Sequence, residues 1–152
     1  MTNPFVVEHN FDELSAALTG LQHRAEDLTP AMRKIGGLLS DITEEAFETE
    51  SDPVTGESWP WLSENYLKRR PNRRNGQMLQ ASAGGLASSI AVDTGDIWAQ
   101  IGSNKPYAAI HQYGGTDDMA PGPAAIPARP YLGFGESHHD EIVGIIRTYI
   151  EG

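Results

Sequence analysis

The 152-residue chain contains no cysteine. That absence removes disulfide frameworks, thiol nucleophiles, iron–sulfur clusters and thiolate zinc sites, leaving histidine and carboxylate as the available metal ligands. No stretch approaches the roughly 18 consecutive apolar residues of a membrane-spanning helix. Met1 to Asn10 carry no basic segment followed by an apolar core, so the expectation is a chain made in the cytosol that does not span a membrane. Positive charge is scarce: 11 Lys and Arg stand against 21 Asp and Glu, a formal charge of −10. Duplex DNA is repelled by such a chain unless its few cations gather on one side. Repeats, low-complexity tracts and Gly-x-Ser-x-Gly, Walker or dinucleotide fingerprints are missing, and Gly84-Gly85 alone is too short to cradle a phosphate.

What is present is 39% apolar, 8% aromatic and 21% charged, the make-up of one globular domain over 1–152 and not of a disordered or fibrous chain. A chain of this length buries roughly 68–70% of its unfolded surface. Its charge is unevenly spread. Residues 1–52 hold 11 acids and 3 bases, a net of −8, residues 53–110 are at +2 and residues 111–152 at −4. Five of the cations, Lys68, Arg69, Arg70, Arg73 and Arg74, fall within seven residues. An acidic helical part and one basic loop therefore share a small protein.

Asn10 and Glu13 form a capping-box pattern, and Phe11, Leu14, Leu18 and Leu21 then recur on one face, which predicts a helix over about 11–25. Thr29 as cap and Pro30 at the first helical position open a second helix to about residue 49. Its seam is Leu28, Met32, Ile35, Leu39, Ile42 and Ala46, with Gly36-Gly37 as a weak or closely approached point. Ser63 caps a short helix carrying Tyr66 and Leu67. Period two over Leu86, Ser88, Ile90 and Val92, a turn at Asp93 to Asp96, and Ile97, Ala99 and Ile101 on the return predict a hairpin. Residues 106–113 read as one or two helical turns ended by Gly114-Gly115, and 114–127 as a long loop. Residues 128–134 suit a further strand, at an edge or starting at Pro130. A last helix over about 138–150 is capped by Ser137, with Ile142, Ile145, Ile146 and Tyr149 inward. The layout is α+β: a small antiparallel sheet packed with a long N-terminal helix pair, residues 1–52, and a C-terminal helix.

Candidate chemistry is sparse. His138 and His139 with Asp140 and Glu141 offer metal-ligand atoms, yet neighbours on a helix point about 100° apart, and acids favour a first helical turn in any case. His111 with Tyr113 and Ser63 supplies the residue types of an acid–base set, but nothing in the spacing brings them together. No cofactor is implied, and neither a catalytic nor a metal set is assigned. The 68–74 cluster, with Trp59, Trp61 and Tyr66 nearby, suits nucleic acid with stacked bases, or an acidic face such as residues 41–52 on another copy, or plain solvation. A protein partner is the favoured one. Two unlike patches on one surface associate head to tail, which closes into rings.

Four segments carry a resemblance. They are Gly56-Glu57-Ser58-Trp59-Pro60-Trp61-Leu62-Ser63, then Leu79 with Leu86-Ala87-Ser88-Ser89-Ile90, then Ile101-Gly102-Ser103 with Tyr107-Ala108-Ala109-Ile110-His111-Gln112-Tyr113-Gly114, and Ile126-Pro127-Ala128-Arg129-Pro130-Tyr131-Leu132-Gly133-Phe134. In order and spacing they resemble the phage virion morphogenesis, or tail completion, family over about 55–150. Many relatives carry Thr-Gly where this chain has Ala83-Gly84-Gly85. The resemblance implies a non-enzymatic structural protein of a phage or prophage, found in the virion tail or neck and in the host cytoplasm during assembly. Its implied partners are copies of itself in a ring and tail-tube or neck proteins. The alternative is a nucleic-acid-binding neck or channel module using residues 68–74. On the family reading, Tyr107, His111 and Tyr113 lie on a short helix against the sheet and fix the base of loop 114–127. Gly114 and Gly115 let the chain turn. Arg129, stiffly held between Ala128 and Pro130 and followed by Tyr131, suits a charge pair within or between subunits.

Overall fold

A computed structural model of the chain describes residues 11–80, 83–116, 118 and 126–152. Five helices and one hairpin follow in order: α1 (Phe11–Glu26), α2 (Thr29–Thr49), α3 (Glu64–Arg69), β1 (Ile90–Thr94), β2 (Ala99–Ser103), α4 (Ala108–Tyr113) and α5 (Glu136–Glu151). Short 3-10 turns at Pro71–Asn75 and Ala87–Ser89 link α3 to the hairpin.

The spine is α2, and its seam faces inward as the spacing predicts. Met32, Ile35, Ile42 and Ala46 are buried, joined by Ala31, Gly36, Thr43 and Phe47 from the adjoining positions of the same face. Gly36 is where β1 crosses. A Cβ there would lie 2.8 Å from Val92 Cγ1 and 2.9 Å from Thr94 Cγ2, whereas one on Gly37 would meet nothing within 4 Å. The helix starts one residue earlier than expected. Thr29 is its first residue, and the Asp27 carboxylate, not Thr29, takes an exposed N–H, that of Thr29 at 3.0 Å. The Thr29 hydroxyl and amide hold the Asp27 carboxyl below its ordinary range. The expected cap Asn10 lies outside the described residues.

Helix α1 has the predicted length and no buried residue. It is tied to the body at its C-terminal end, where Arg24 Nε donates to Ile150 O at 2.7 Å and the Tyr149 hydroxyl donates to Asp27 O at 2.8 Å. Upstream, Leu14 and Leu18 are 52% and 57% exposed.

The hairpin is antiparallel with Ile90 opposite Ser103 and Thr94 opposite Ala99. Two features correct the sequence reading. The strand runs through Asp93 and Thr94, and the reversal is at 95–98, closed by Gly95 N donating to Trp98 O at 2.8 Å. Leu86 and Ser88 precede the strand in and beside a 3-10 turn, because the Ser88 and Ser89 hydroxyls donate to carbonyls behind them and hold the chain curled. Leu86 is buried in the core instead of standing on the sheet.

The core lies between the end of α2 and segments on both sides of the hairpin: Ala46 and Phe47 of α2, Trp59, Met78 and Leu86 before the hairpin, and Ala108 and Tyr131 after it. Phe47 meets Trp59 edge-on at 5.8 Å and Tyr131 at 5.3 Å. Residues 128–134 form no strand. Their backbone is served by side chains: Gln112 Oε1 accepts from the N–H groups of Tyr131 and Leu132, Gln112 Nε2 donates to Leu132 O, and Trp59 Nε1 donates to Pro130 O. Pro130 has no N–H for a ladder, and one amide side chain replaces the missing neighbour. The last helix starts at Glu136 with Gly135 before it, whose N–H donates to His138 Nδ1 at 3.2 Å, so Ser137 lies inside the helix and is not its cap. Ile142, Ile145, Ile146 and Tyr149 are half-buried as expected. No helix is long and apolar enough to cross a membrane among the described residues.

Candidate functional site

Three chain segments are pinned around one concavity. Asp52 begins the first pin: its Oδ1 accepts from Val54 and Thr55 N–H and its backbone pairs with Glu57, a tight reversal that delivers Trp59 to the core and leaves Trp61 at the surface. Ser63 Oγ then accepts from Tyr66 N at 3.2 Å and starts α3, as expected. The second pin is residues 78–80. Met78 N donates to Glu50 Oε1 at 2.5 Å and Gln80 Nε2 to Phe47 O at 3.0 Å, and between these two anchors Leu79 is held at φ +61. A left-handed leucine is strained by about 1–2 kcal/mol and persists only where its surroundings dictate it. The third pin is the base of the long loop. Gly115 N donates to Ile126 O and Arg129 N to His111 O, both at 2.8 Å. Gly114 sits at φ +78 with a virtual Cβ 2.9 Å from Ala128 N, so no other residue fits there.

The concavity between these pins has a volume of about 520 Å³, room for several side chains. Trp61, Leu62, Tyr66, Leu79, Leu86 and Ile126 make its apolar walls. The ionised residues that line it among the described residues are Arg73 and Arg129, joined by the imidazole of His111, and no acid is among them. Among the described residues, two polar atoms beside it are buried without a hydrogen-bond partner, Arg73 Nε and His111 Nδ1. Burial, then the positive field of Arg129, pushes the His111 pKa down, so the ring is neutral at pH 7.

Each residue singled out in the sequence has a definite place. Arg129 is 5% exposed and its guanidinium is used within the chain, Nε on Pro60 O at 2.8 Å and Nη2 on Trp61 O at 3.1 Å. Its partners are two backbone carbonyls, and the charge pair expected for it is not among the ion pairs of the described residues. Burial lowers its pKa, an effect that the negative field of Glu50 partly offsets. Tyr131 is buried with its hydroxyl on Ala108 O at 3.0 Å, and desolvation pushes its pKa up. Pro130 supplies the carbonyl that Trp59 grips. Tyr107 precedes α4 and meets His111 edge-on at 5.9 Å. Tyr113 departs from the expectation of packing on the sheet. It is 81% exposed, five residues beyond Ala108, the buried residue of α4, and so on the far side of the helix.

Of the basic cluster, Arg74 pairs with Glu64 at 3.1 Å, Arg69 Nε reaches Asn65 O at 3.3 Å and Arg73 Nη2 reaches Gln77 O at 2.6 Å. Lys68 and Arg70 point into solvent. The structure thus divides the cluster, bringing Arg73 to the concavity and leaving the others outside it. Ser63 and His111 both line the concavity while Tyr113 stands apart, and Ser63 Oγ is engaged as a helix cap. His139 Nδ1 lies 3.8 Å from Asp140 Oδ1 on the surface and His138 is turned to Gly135, and among the described residues no three His, Asp or Glu gather as a metal site. Sequence reasoning missed Leu79, Glu50 and Gln112. Their roles come from backbone geometry and long-range hydrogen bonds, although Leu79 and Gln112 both lie within resembling segments.

Comparison with known proteins places the chain. It is 46% identical over 120 residues to the "Putative capsid assembly protein G" of Escherichia phage Mu, an alignment covering 78% of this chain and 76% of that protein. It is 36% identical over 142 residues to the "Mu-like prophage FluMu G protein 1" of Haemophilus influenzae, covering 92% and 86%. With the "Mu-like prophage FluMu G protein 2" of the same organism the figures are 29% over 143 residues, 94% and 93%. No solved structure matches. The match to a family extends over residues 9–151, taking in α1 and α2 as well as the motif-bearing segments around the concavity. On this likeness across nearly its whole length, the chain belongs to the phage virion morphogenesis family.

Proposed function

We infer that this phage morphogenesis protein is a non-enzymatic structural part that completes the tail and joins it to the head, acting as a ring of copies at the head-proximal end or neck. One observation carries the reading: a domain of net charge −10 sets an apolar concavity, whose charged lining among the described residues is Arg73 and Arg129, apart from a helix whose acidic first turn and leucines face solvent. Unlike patches on one surface suit repeated head-to-tail contact and not turnover of a bound molecule. The family and the run of tail-completion motifs support the place in the tail.

A second reading has its own support, because the name of the phage Mu relative speaks of capsid assembly. Silencing the gene during phage growth and viewing the lysate by electron microscopy separates the two. Filled heads lying beside unjoined tails, or tails of abnormal length, are expected here. Missing or malformed heads with normal tails favour the capsid role. Normal infectious particles overturn both. The nucleic-acid alternative is tested by DNA retention that falls with salt and is lost when Lys68, Arg69, Arg70, Arg73 and Arg74 are neutralised.

A further inference from the structure

We propose that the apolar face of α1 in one copy docks into the Trp61–Leu79 concavity of the next copy, so that each subunit is both ligand and receptor. This deepens the ring reading above and rests on it. The ligand half is Leu14 and Leu18, one helical turn apart on the face that also carries Leu21. They stand in solvent on a helix whose ties to its own body lie at the other end, at Arg24 and Asp27. Leucines at i and i+4, followed by i+7, are the anchor spacing with which an amphipathic helix enters a groove.

The receptor half is the concavity, and no residue of α1 lines it. Its volume of about 520 Å³ accepts the two leucines, and Trp61 and Tyr66, both substantially exposed, are the residue types that dominate such contacts. Charge selects the occupant. Asp12 and Glu13 open α1 immediately before Leu14. The concavity offers Arg73 and Arg129 and, among the described residues, no acid, and the neighbouring Lys68 and Arg70 in the chain are exposed. An apolar helix with an acidic start is therefore matched twice, by shape and by sign, and residues 1–52 of the same chain, at −8, provide it. A carboxylate arriving at the edge also gives Arg73 Nε, which lacks a partner, an acceptor nearby. Because the two halves are different surfaces, the contact is head to tail, closing into a ring if the rotation per subunit permits.

Two exposed-site variants of the full chain test this by native mass and sedimentation, with circular dichroism to show that both are folded. Leu14→Asp/Leu18→Asp removes the ligand half and Trp61→Ala/Tyr66→Ala the receptor half. Each alone is expected to weaken association by about a hundredfold or more, the loss of two buried anchors. Mixed one to one, they are expected to form a heterodimer and nothing larger, since each supplies the one half the other lacks. Arg73→Glu is expected to weaken assembly, with partial rescue by Asp12→Lys/Glu13→Lys. If the helix variant dissociates while the concavity variant assembles normally, α1 pairs with itself or elsewhere and the proposal fails. If both assemble normally, or both are monomers that do not pair on mixing, it fails and the ring reading stands. A wild-type chain that stays monomeric at every concentration sinks the contact and the self-assembled ring together.

Discussion

Arg129 and Gly114 act through what they do to their own chain. Arg129→Ala strips two carbonyls of a charged donor and opens the wall beside Trp61, which is expected to lower stability by about 2–4 kcal/mol in urea unfolding. Arg129→Lys should recover only part, because one ammonium does not reproduce the fork that spans Pro60 and Trp61. Gly114→Ala puts a Cβ against Ala128 N at a φ of +78, an expected cost of at least about 1–3 kcal/mol. His111 gives a pH signature. Its folded pKa lies below the ordinary 6.5, so the unfolded chain binds the proton more readily. The stability it contributes is complete above about pH 6.5 and is lost as the pH falls through and below that value. His111→Gln should therefore lose less stability than the wild type between about pH 7.5 and 5.5 in paired denaturation curves. A steeper acid loss in the variant contradicts the assignment. At this scale the sequence singled residues out more readily than it revealed their contacts. Arg129, His111 and Gly114 stood out by their company, but a buried guanidinium on two distant carbonyls, 68 and 69 positions away, leaves no trace in local spacing.

Helix α2 shows what periodicity does and does not reveal. Its 3-and-4 spacing marked the buried face, and Gly36-Gly37 marked a close approach, yet which glycine is approached depends on where β1 crosses. The two are expected to respond with opposite sign. Gly37→Ala meets open space and gains about 0.5–1 kcal/mol of helix propensity. Gly36→Ala drives into the β-branched Val92 and Thr94, which have little rotamer freedom to yield, and is expected to lose about 1–3 kcal/mol net. Thermal melts of the two variants decide it, and equal shifts contradict the packing. The hairpin was legible because residues 90–101 alternate, but its start was read too early. Serine hydroxyls competing for carbonyls curl 87–89 without altering the alternation. Residues 128–134 look like a strand in composition and are not one, since a strand also needs a neighbour, and here Gln112 and Trp59 satisfy the backbone instead. Leu79 on its strained backbone was invisible for the same reason: the restraints come from Glu50 and Phe47.

For the whole molecule, charge patterning is the feature the sequence shows most plainly, residues 1–52 at −8 and five cations within 68–74, and the structure divides that cluster, with Arg73 at the concavity and Arg74 on Glu64. Assembly through such patches is expected to loosen between about 0.1 and 1 M salt, as the screening length falls from about 10 to 3 Å, with the fold itself unchanged by circular dichroism. Assembly that tightens with salt would assign it to apolar contact alone. The central claim is that these surfaces build a neck. The most direct measurement is to locate the chain, carrying a small C-terminal tag, in purified particles by gold labelling and electron microscopy. The account predicts label at the junction of head and tail, in several copies per particle. Label spread over the heads, or particles that lack the chain altogether, would contradict it.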